Sequence, residues 1–399
     1  MAIRKINSRS LGDTGVATAD IANGAVTTDK LAADAVTTAK IADTVNLGRR
    51  NLIINGAMQV AQRGTSVTGY TNGSGNETFV ADRWKIQEYD TPAAVYTITQ
   101  NDITSENIPF SKSLKFACTT AETSGSYLFR TITLLEGQDL QHLQYGTSDA
   151  KDVTLSFWVK SNLTGVMSGF IYNQGSAKNY GFEVTINSAN TWERKTVTIT
   201  PDSTAIPNAN TAGFSITLTL SAASSWSSSW SADSWVTYAN GTHNSPSNID
   251  LGSSTSNYLE LTGVQLEVGD TATPFEHRSF DEELSLCKRY YQKSYLYGVA
   301  AGTNTSVGMY FAQRFNSNDR YWALGAHFPQ ELRETPAFTI YDRSGTTSQI
   351  NQYNGTTNIQ TIASISGNNA KNMFRYLDNN SGAGNDSPQE FHWEADSEL

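Results

Sequence analysis

Cysteine is nearly missing: Cys118 and Cys287 are the two in 399 residues, far apart in the chain. No disulfide framework is therefore expected. No run of about 18 apolar residues occurs, which excludes a membrane-spanning helix and, with it, membrane insertion. The opening "MAIRKINSRS" lacks the apolar core of a secretory signal. The expectation is a protein made in a reducing cytoplasm that leaves the cell by a route other than secretion. Charge is thin too, with Asp, Glu, Lys and Arg at 17% against about 25% in ordinary soluble domains. Ser, Thr, Asn and Gly fill the gap, a balance that suits short strands and turns and disfavours long surface helices.

The net charge of -10 lacks the basic footprint that phosphate neutralisation needs, so nucleic acid is excluded as a partner. His142, His243, His277, His327 and His392 are scattered, without HExxH spacing or Cys partners. There is no GxSxG, phosphate loop or dinucleotide fingerprint. Glycoside hydrolysis would need two facing carboxylates. Asp82, Asp90, Glu183, Glu193, Glu260 and Glu267 are available, but no spacing pairs them. No catalytic residue, no metal ligand and no cofactor is expected. Asp82 and Arg83, adjacent in "ADRW", suit a buried ion pair or a turn lock.

What is present begins with a repeat. In "VATADIANGAVTTDKLAADAVTTAKIAD", Val16, Val26 and Val36 recur every ten residues, as do Ile21, Leu31 and Ile41. An apolar side chain on every fifth position fits neither a helical stripe nor a strand face. Such a repeat covers its apolar residues by stacking or by wrapping with other chains. The expectation for residues 1–48 is an extended, multi-chain stem; a flexible Ala/Thr-rich linker is the alternative. Arg4, Lys5 and Arg9 have no acidic neighbour within the first ten residues. They form a candidate docking peg for an acidic socket.

From residue 49 to 278 the chain alternates apolar and polar residues in short stretches separated by Gly, Asn, Ser or Asp. "AAVYTITQ", "SLKFACTT", "YLFRTITL", "DVTLSFWVK", "GFEVTIN", "ERKTVTIT", "GFSITLTL" and "NYLELTGVQLEV" read as strands of an antiparallel sandwich. In "DVTLSFWVK", Val153, Leu155, Phe157 and Val159 share one face and are assigned to the core. Trp158 falls on the other face, where it lines a groove or lies under a loop. Residues 279–294, "SFDEELSLCKRYYQKS", are expected to form a neck helix, with Ser279 and Glu282 as its capping box. Phe280, Leu284, Cys287 and Tyr291 are its packing seam. Residues 295–399 read as a small β domain. The six acids beyond Arg375 are expected on a solvated edge, being too scattered for a calcium loop.

Two long motifs, "NLIINGAMQVAQRGTS" with "FVADRW", and "LTGVQLEVGDTATPFEHRSFDEELSLCKRYYQ", resemble the signature of bacteriophage tail-fibre and virion structural proteins. The stretch between them resembles jelly-roll carbohydrate-binding modules. "FPQELRETPAFTIYD" is similar to the segment that follows the "CKRYY" helix in such fibres. The resemblance implies a mainly β homotrimer fixed to phage tail or adaptor proteins by its N-terminus. It also implies assembly in the host cytoplasm, localisation in the virion and contact with host-surface glycan. A structural calcium ion is open by family analogy, with no ligands to name. A head decoration or spacer fibre, and a polysaccharide depolymerase, are the alternatives.

Two stretches are candidates for host contact. Trp226, Trp230 and Trp235 lie among Ser, Asp233 and Tyr238 in "SAASSWSSSWSADSWVTYANG". Sugar rings stack on such faces and their hydroxyls bond small polar groups; inward packing of the same rings is the competing reading. Trp158 joins this set. The second candidate is a tip of the C-terminal domain built from Tyr310, Arg314, Arg320, Tyr321, Trp322 and His327, against ordinary strand residues as the alternative.

Overall fold

The computed structural model describes residues 49–399 apart from 72–73, 90–93, 105, 123–126, 315–319, 324–326, 353–357, 367–370, 373–375 and 380–388. The docking peg Arg4, Lys5 and Arg9 and the stem residues Val16, Ile21, Val26, Leu31, Val36 and Ile41 lie outside the described residues, as does Asp90.

Among the described residues, thirteen strands form two antiparallel sheets. In chain order they are β1 (Ser66–Tyr70), β2 (Ser74–Phe79), β3 (Lys85–Tyr89), β4 (Val95–Asp102), β5 (Lys112–Thr120) and β6 (Leu128–Glu136). They continue with β7 (Val153–Ser161), β8 (Gly165–Asn173), β9 (Lys178–Ile186) and β10 (Glu193–Ile199). β11 (Ala212–Ala222), β12 (Trp235–Thr237) and β13 (Tyr258–Val268) complete the set. One sheet runs β1-β4-β5-β13-β7-β10 and the other β12-β9-β8-β11-β6-β3-β2.

The two-residue period of strands decides which side chains meet. Val153, Leu155, Phe157 and Val159 of β7 face Phe214, Ile216, Leu218 and Leu220 of β11 in one apolar cluster between the sheets. This is the sandwich expected from the alternation. Phe157 is fully buried, so Phe157→Ala is expected to cost about 3–5 kcal/mol of stability. Urea unfolding measures this, with the half-buried Trp158→Ala expected to lose less. Trp158 lies under the loop after β4, its ring 6.4 Å from Phe110 in an edge contact.

The helix α1 spans Phe280–Lys288, shorter than expected. Ser279 caps it by accepting the Glu282 amide at 3.2 Å. The chain then turns into strand β14 (Tyr291–Lys293), which pairs with the last strand of the protein. Of the expected seam, Cys287 and Tyr291 are buried, whereas Phe280 is 41% exposed and the acidic Glu283 is buried in its stead. Glu283 displaces the apolar seam because its carboxylate accepts the Asn55 amide, and the Arg278 guanidinium lies 3.4 Å away. The two long sequence motifs are thus stitched together. Leu52 donates to the Leu266 carbonyl at 2.9 Å. The backbone amides of Arg50 and Asn51 both donate to Glu276. At Gly56 a Cβ would stand 2.0 Å from the Val264 carbonyl oxygen, so no other residue fits this crossing.

The remaining strands are β15 (Tyr310–Arg314), β16 (Arg320–Ala323), β17 (Ala337–Tyr341) and β18 (Gln349–Gln352). β19 (Asn358–Ser366), β20 (Tyr376–Asn379) and β21 (Gln389–Asp396) follow. β21 pairs with β14, β15, β17 and β18, so it is the centre of the C-terminal β region and not a solvated edge. Phe391 and Trp393 are buried in its apolar cluster. Its acids are clamped: Glu390 pairs with Arg343. Glu394 accepts hydrogen bonds from the hydroxyls of Tyr291, at 2.7 Å, and Tyr341.

The "QRG", "ADRW" and "CKRYY" segments meet at the contact between the sandwich and this region. Arg63 lies over the Tyr291 ring at 3.8 Å and pairs with Asp396 at 2.8 Å and Glu398 at 3.3 Å. Arg83 lies over the Tyr290 ring at 3.5 Å and also pairs with Glu398. Arg289 forks onto Glu136 at 2.7 and 2.8 Å, and the Tyr290 hydroxyl donates to the same carboxylate at 2.6 Å. Asp82 and Arg83 therefore do not pair with each other. Asp82 instead accepts the amide and side chain of Gln62 at 2.9 and 2.6 Å. Positive φ at Arg83 sends its side chain toward the C-terminal region.

Candidate functional site: a groove on the seven-stranded sheet

Register places one set of side chains on the outer face of the seven-stranded sheet. Lys85 of β3 stands opposite Ile132 of β6, Ile132 opposite Thr217 of β11, and Thr217 opposite Phe170 of β8. Beside this row, Gln87 is opposite Arg130, and Leu134 is followed by Ser215 and Tyr172. Neighbouring strands lie about 4.8 Å apart, so the rows form a floor several residues wide. A groove of about 300 Å³ runs over it, with Tyr89 and Tyr238 also on its lining. It shares Lys85, Leu134 and Gln174 with a larger cavity of about 1260 Å³ that reaches Arg63, Glu394 and Asp396.

Aromatic rings form a continuous ladder along this groove. Tyr89 is 5.8 Å from Trp226. Trp226 is stacked on His243 at 5.4 Å and 17°, and His243 on Phe170 at 5.4 Å and 23°. Tyr238 is 4.5 Å from His243 and 4.6 Å from Tyr172. The His243 ring is buried, and neither nitrogen has a hydrogen-bond partner among the described residues. Burial first, and the Arg130 charge second, push its pKa down to about 3, so this rung stays neutral.

The structure disperses the residues picked out in the sequence. Tyr238 lines the groove, and Trp226 belongs to its ladder while being almost fully buried. Trp230 donates to Glu183 at 2.9 Å and Trp235 to the Thr200 carbonyl at 2.7 Å. Both indoles are half-buried braces of the loop and not part of the groove lining. Trp158 belongs to the other sheet. At the expected tip, Tyr310 packs 5.6 Å from Trp393 and is a packing residue. Arg314, Arg320, Tyr321 and Trp322 lie on β15 and β16, but their side chains are outside the described residues; His327 is exposed.

Sequence reasoning missed Tyr89, Phe170, Tyr172, Arg130 and Gln87. The signal was present in "YLFRTITL", where Arg130 alternates with the inner residues Phe129 and Thr131. Of the carboxylates weighed for hydrolysis, Glu193 is held by Lys195, Asn187 and Ser188, which bring its pKa down to about 2 against the opposing effect of burial. Glu260 sits on the six-stranded sheet with Ser113 at 2.8 Å. Glu267 accepts from Thr273 at 2.6 Å. Among the described residues no group of three His, Cys, Asp or Glu could hold a metal ion.

No protein-family profile matches the chain, and no curated protein matches it. Among solved structures, it is similar to the enzymatically active domain of tailspike protein 4 of bacteriophage CBA120, 14% identical over 55% of this chain with a TM-score of 0.28. That match spans 21% of the tailspike chain. The family 11 carbohydrate-binding module from Clostridium thermocellum, solved with a β-1,3-1,4-mixed-linked tetrasaccharide, is 11% identical over 53% of this chain and 99% of its own, with a TM-score of 0.24. A xylan-binding domain from Paenibacillus barcinonensis is 13% identical over 50% of this chain and 97% of its own, also at 0.24. At these scores the similarity carries no ligand across, and the reading of the groove stands on its own geometry.

Proposed function

We propose that this chain is a non-catalytic bacteriophage tail-fibre protein, fixed to the virion through residues 1–48 and holding host-surface glycan in the groove of its seven-stranded sheet. The observation that carries the glycan reading is the ring ladder beside Gln87, Arg130, Ser215 and Thr217 on a sheet face. Aromatic faces take the C–H faces of a sugar, amides and hydroxyls take its hydroxyls, and strands hold both rigidly. The fibre reading and the homotrimer rest on the resemblance carried by the two long sequence motifs, and the wrapping of several chains on the ten-residue repeat. Three copies per fibre would raise a weak single-site affinity by avidity.

A depolymerase has one foothold, the carboxylates beside the larger cavity. Yet Glu394 is held by two tyrosines, and Asp396 and Glu398 by arginines, which makes them clamps. Incubation with capsular or lipopolysaccharide glycan is expected to leave chain length unchanged, as read by size-exclusion chromatography. Shortened chains would decide for the enzyme. Immunogold labelling is expected on the tail; label on the capsid would decide for head decoration. Tyr172→Ala is expected to weaken glycan binding about tenfold or more, since truncating an aromatic anchor in a binding site costs roughly 1–2 kcal/mol or more. Calorimetry measures this.

A further inference from the structure

Arg130 is buried, and a buried charge ordinarily has a counter-charge. Here it has none. No carboxylate lies within ion-pair distance of Arg130 among the described residues, although the protein carries 38 Asp and Glu against 28 Lys and Arg. Its Nε and Nη2 both donate to the neutral Gln87 Oε1, at 3.0 and 2.7 Å. Nη2 also reaches the Tyr89 hydroxyl at 3.4 Å, and the guanidinium lies 5.1 Å over the Tyr89 ring. Gln87 thereby fixes the plane of the guanidinium while leaving its charge uncompensated. Nη1 has no partner among the described residues and is not among the enclosed polar atoms.

The surroundings point the same way. None of the described residues lining this stretch of the groove is acidic, and Lys85 lines it too. His243, kept neutral by its burial and by the Arg130 charge, adds no second cation beside the guanidinium. In an acidic protein, a slot whose described lining holds no carboxylate and whose floor carries a fixed guanidinium favours a negative group. The free end of the fork has the planar donor geometry that matches a carboxylate.

We infer that the groove takes an acidic glycan, with a uronate-type carboxylate on the Nη1 end of Arg130 and the adjoining sugar face on Tyr172 and Tyr238. This inference rests on the reading of the groove as a glycan site and names the ligand class. It assigns Arg130 as the residue that selects charge, and the tyrosines as the residues that hold rings of any charge.

The test uses the full chain and two matched probe pairs: tetragalacturonate with its methyl ester, and a hyaluronan tetrasaccharide with its carboxyl-reduced form. Calorimetry at low salt is expected to show the acidic member of at least one pair binding about tenfold or more tightly than its neutral partner, the range of a charge-assisted hydrogen bond. Arg130→Gln is expected to remove that preference, so that the acidic and neutral members of each pair bind it alike. Arg130→Lys, which keeps the charge without the fork, is expected to retain a reduced preference and covers the case in which the Gln variant does not fold. Neutral members binding as tightly as acidic ones, or a preference that survives in Arg130→Gln, would overturn the inference while the groove reading stands. Failure of every probe, with Tyr172→Ala also without effect on host glycan, would overturn both.

Discussion

Glu398→Ala is expected to lower the unfolding free energy by about 3 kcal/mol or more, the range for breaking a buried ion pair from one side. Arg83 is 2% exposed and Glu398 9% exposed as side chains. Without Glu398, the Arg83 guanidinium keeps the Leu134 carbonyl at 2.6 Å and the face of Tyr290 but has no carboxylate within ion-pair distance among the described residues. Arg63 is affected less, because Asp396 remains its partner at 2.8 Å. The double variant Arg83→Met/Glu398→Ala is expected to cost less than the sum of the single changes, since the second removes the charge that the first strands. Urea denaturation of the four proteins gives the coupling. Additive costs would mean that the pair does not join the C-terminal β region to the sandwich as described.

The second large effect is a loss of stability in mild acid that depends on His243. Its pKa is lowered to about 3 in the folded protein, against about 6.5 in an unfolded chain. The unfolded state therefore binds more protons below pH 6.5. Stability is fully present above that value and falls as pH drops from 6.5 toward 3. Between pH 7 and 5 the loss from this residue is about 2 kcal/mol, at roughly 1.4 kcal/mol per unit of pKa difference. His277 and His392 are shifted down by burial as well, and they act in the same direction. The wild-type curve therefore contains all three, and the difference from His243→Phe isolates the one. Thermal melts across pH 5–7 are expected to show a shallower slope in the variant, which keeps the stacking on Trp226 and Phe170. An identical slope would mean that the ring gains access to water when protonated.

Alternation made the sandwich core legible: β7 and β11 place their apolar residues on one face each, and the structure buries them together. The floor of the groove was harder to read. β8 carries Phe170 and Tyr172, but "GVMSGFIYN" is interrupted by Gly165 and Gly169 and lacks a clean period. At Gly169 a Cβ would lie 2.4 Å from the Thr217 carbonyl oxygen. The glycine that obscures the strand is what lets it pack beside β11. The tryptophan loop drew attention by composition, yet the partners that turn Trp230 and Trp235 inward, Glu183 and Thr200, come from distant segments. No local pattern signals them. The acidic C-terminal stretch misled for the same reason, since Arg63 and Arg83 lie more than 300 residues before the acids they hold. The motifs that resemble phage fibres mark the joints of the scaffold, whereas the residues lining the groove occupy the strands between them.

The most direct test of the central claim is binding of the full chain to an array of bacterial surface glycans, with Tyr172→Ala and Trp158→Ala measured alongside. Loss of the bound spots in Tyr172→Ala, with Trp158→Ala behaving as wild type, is the predicted result. Spots that persist in Tyr172→Ala and vanish in Trp158→Ala would place recognition on the opposite sheet and contradict the account.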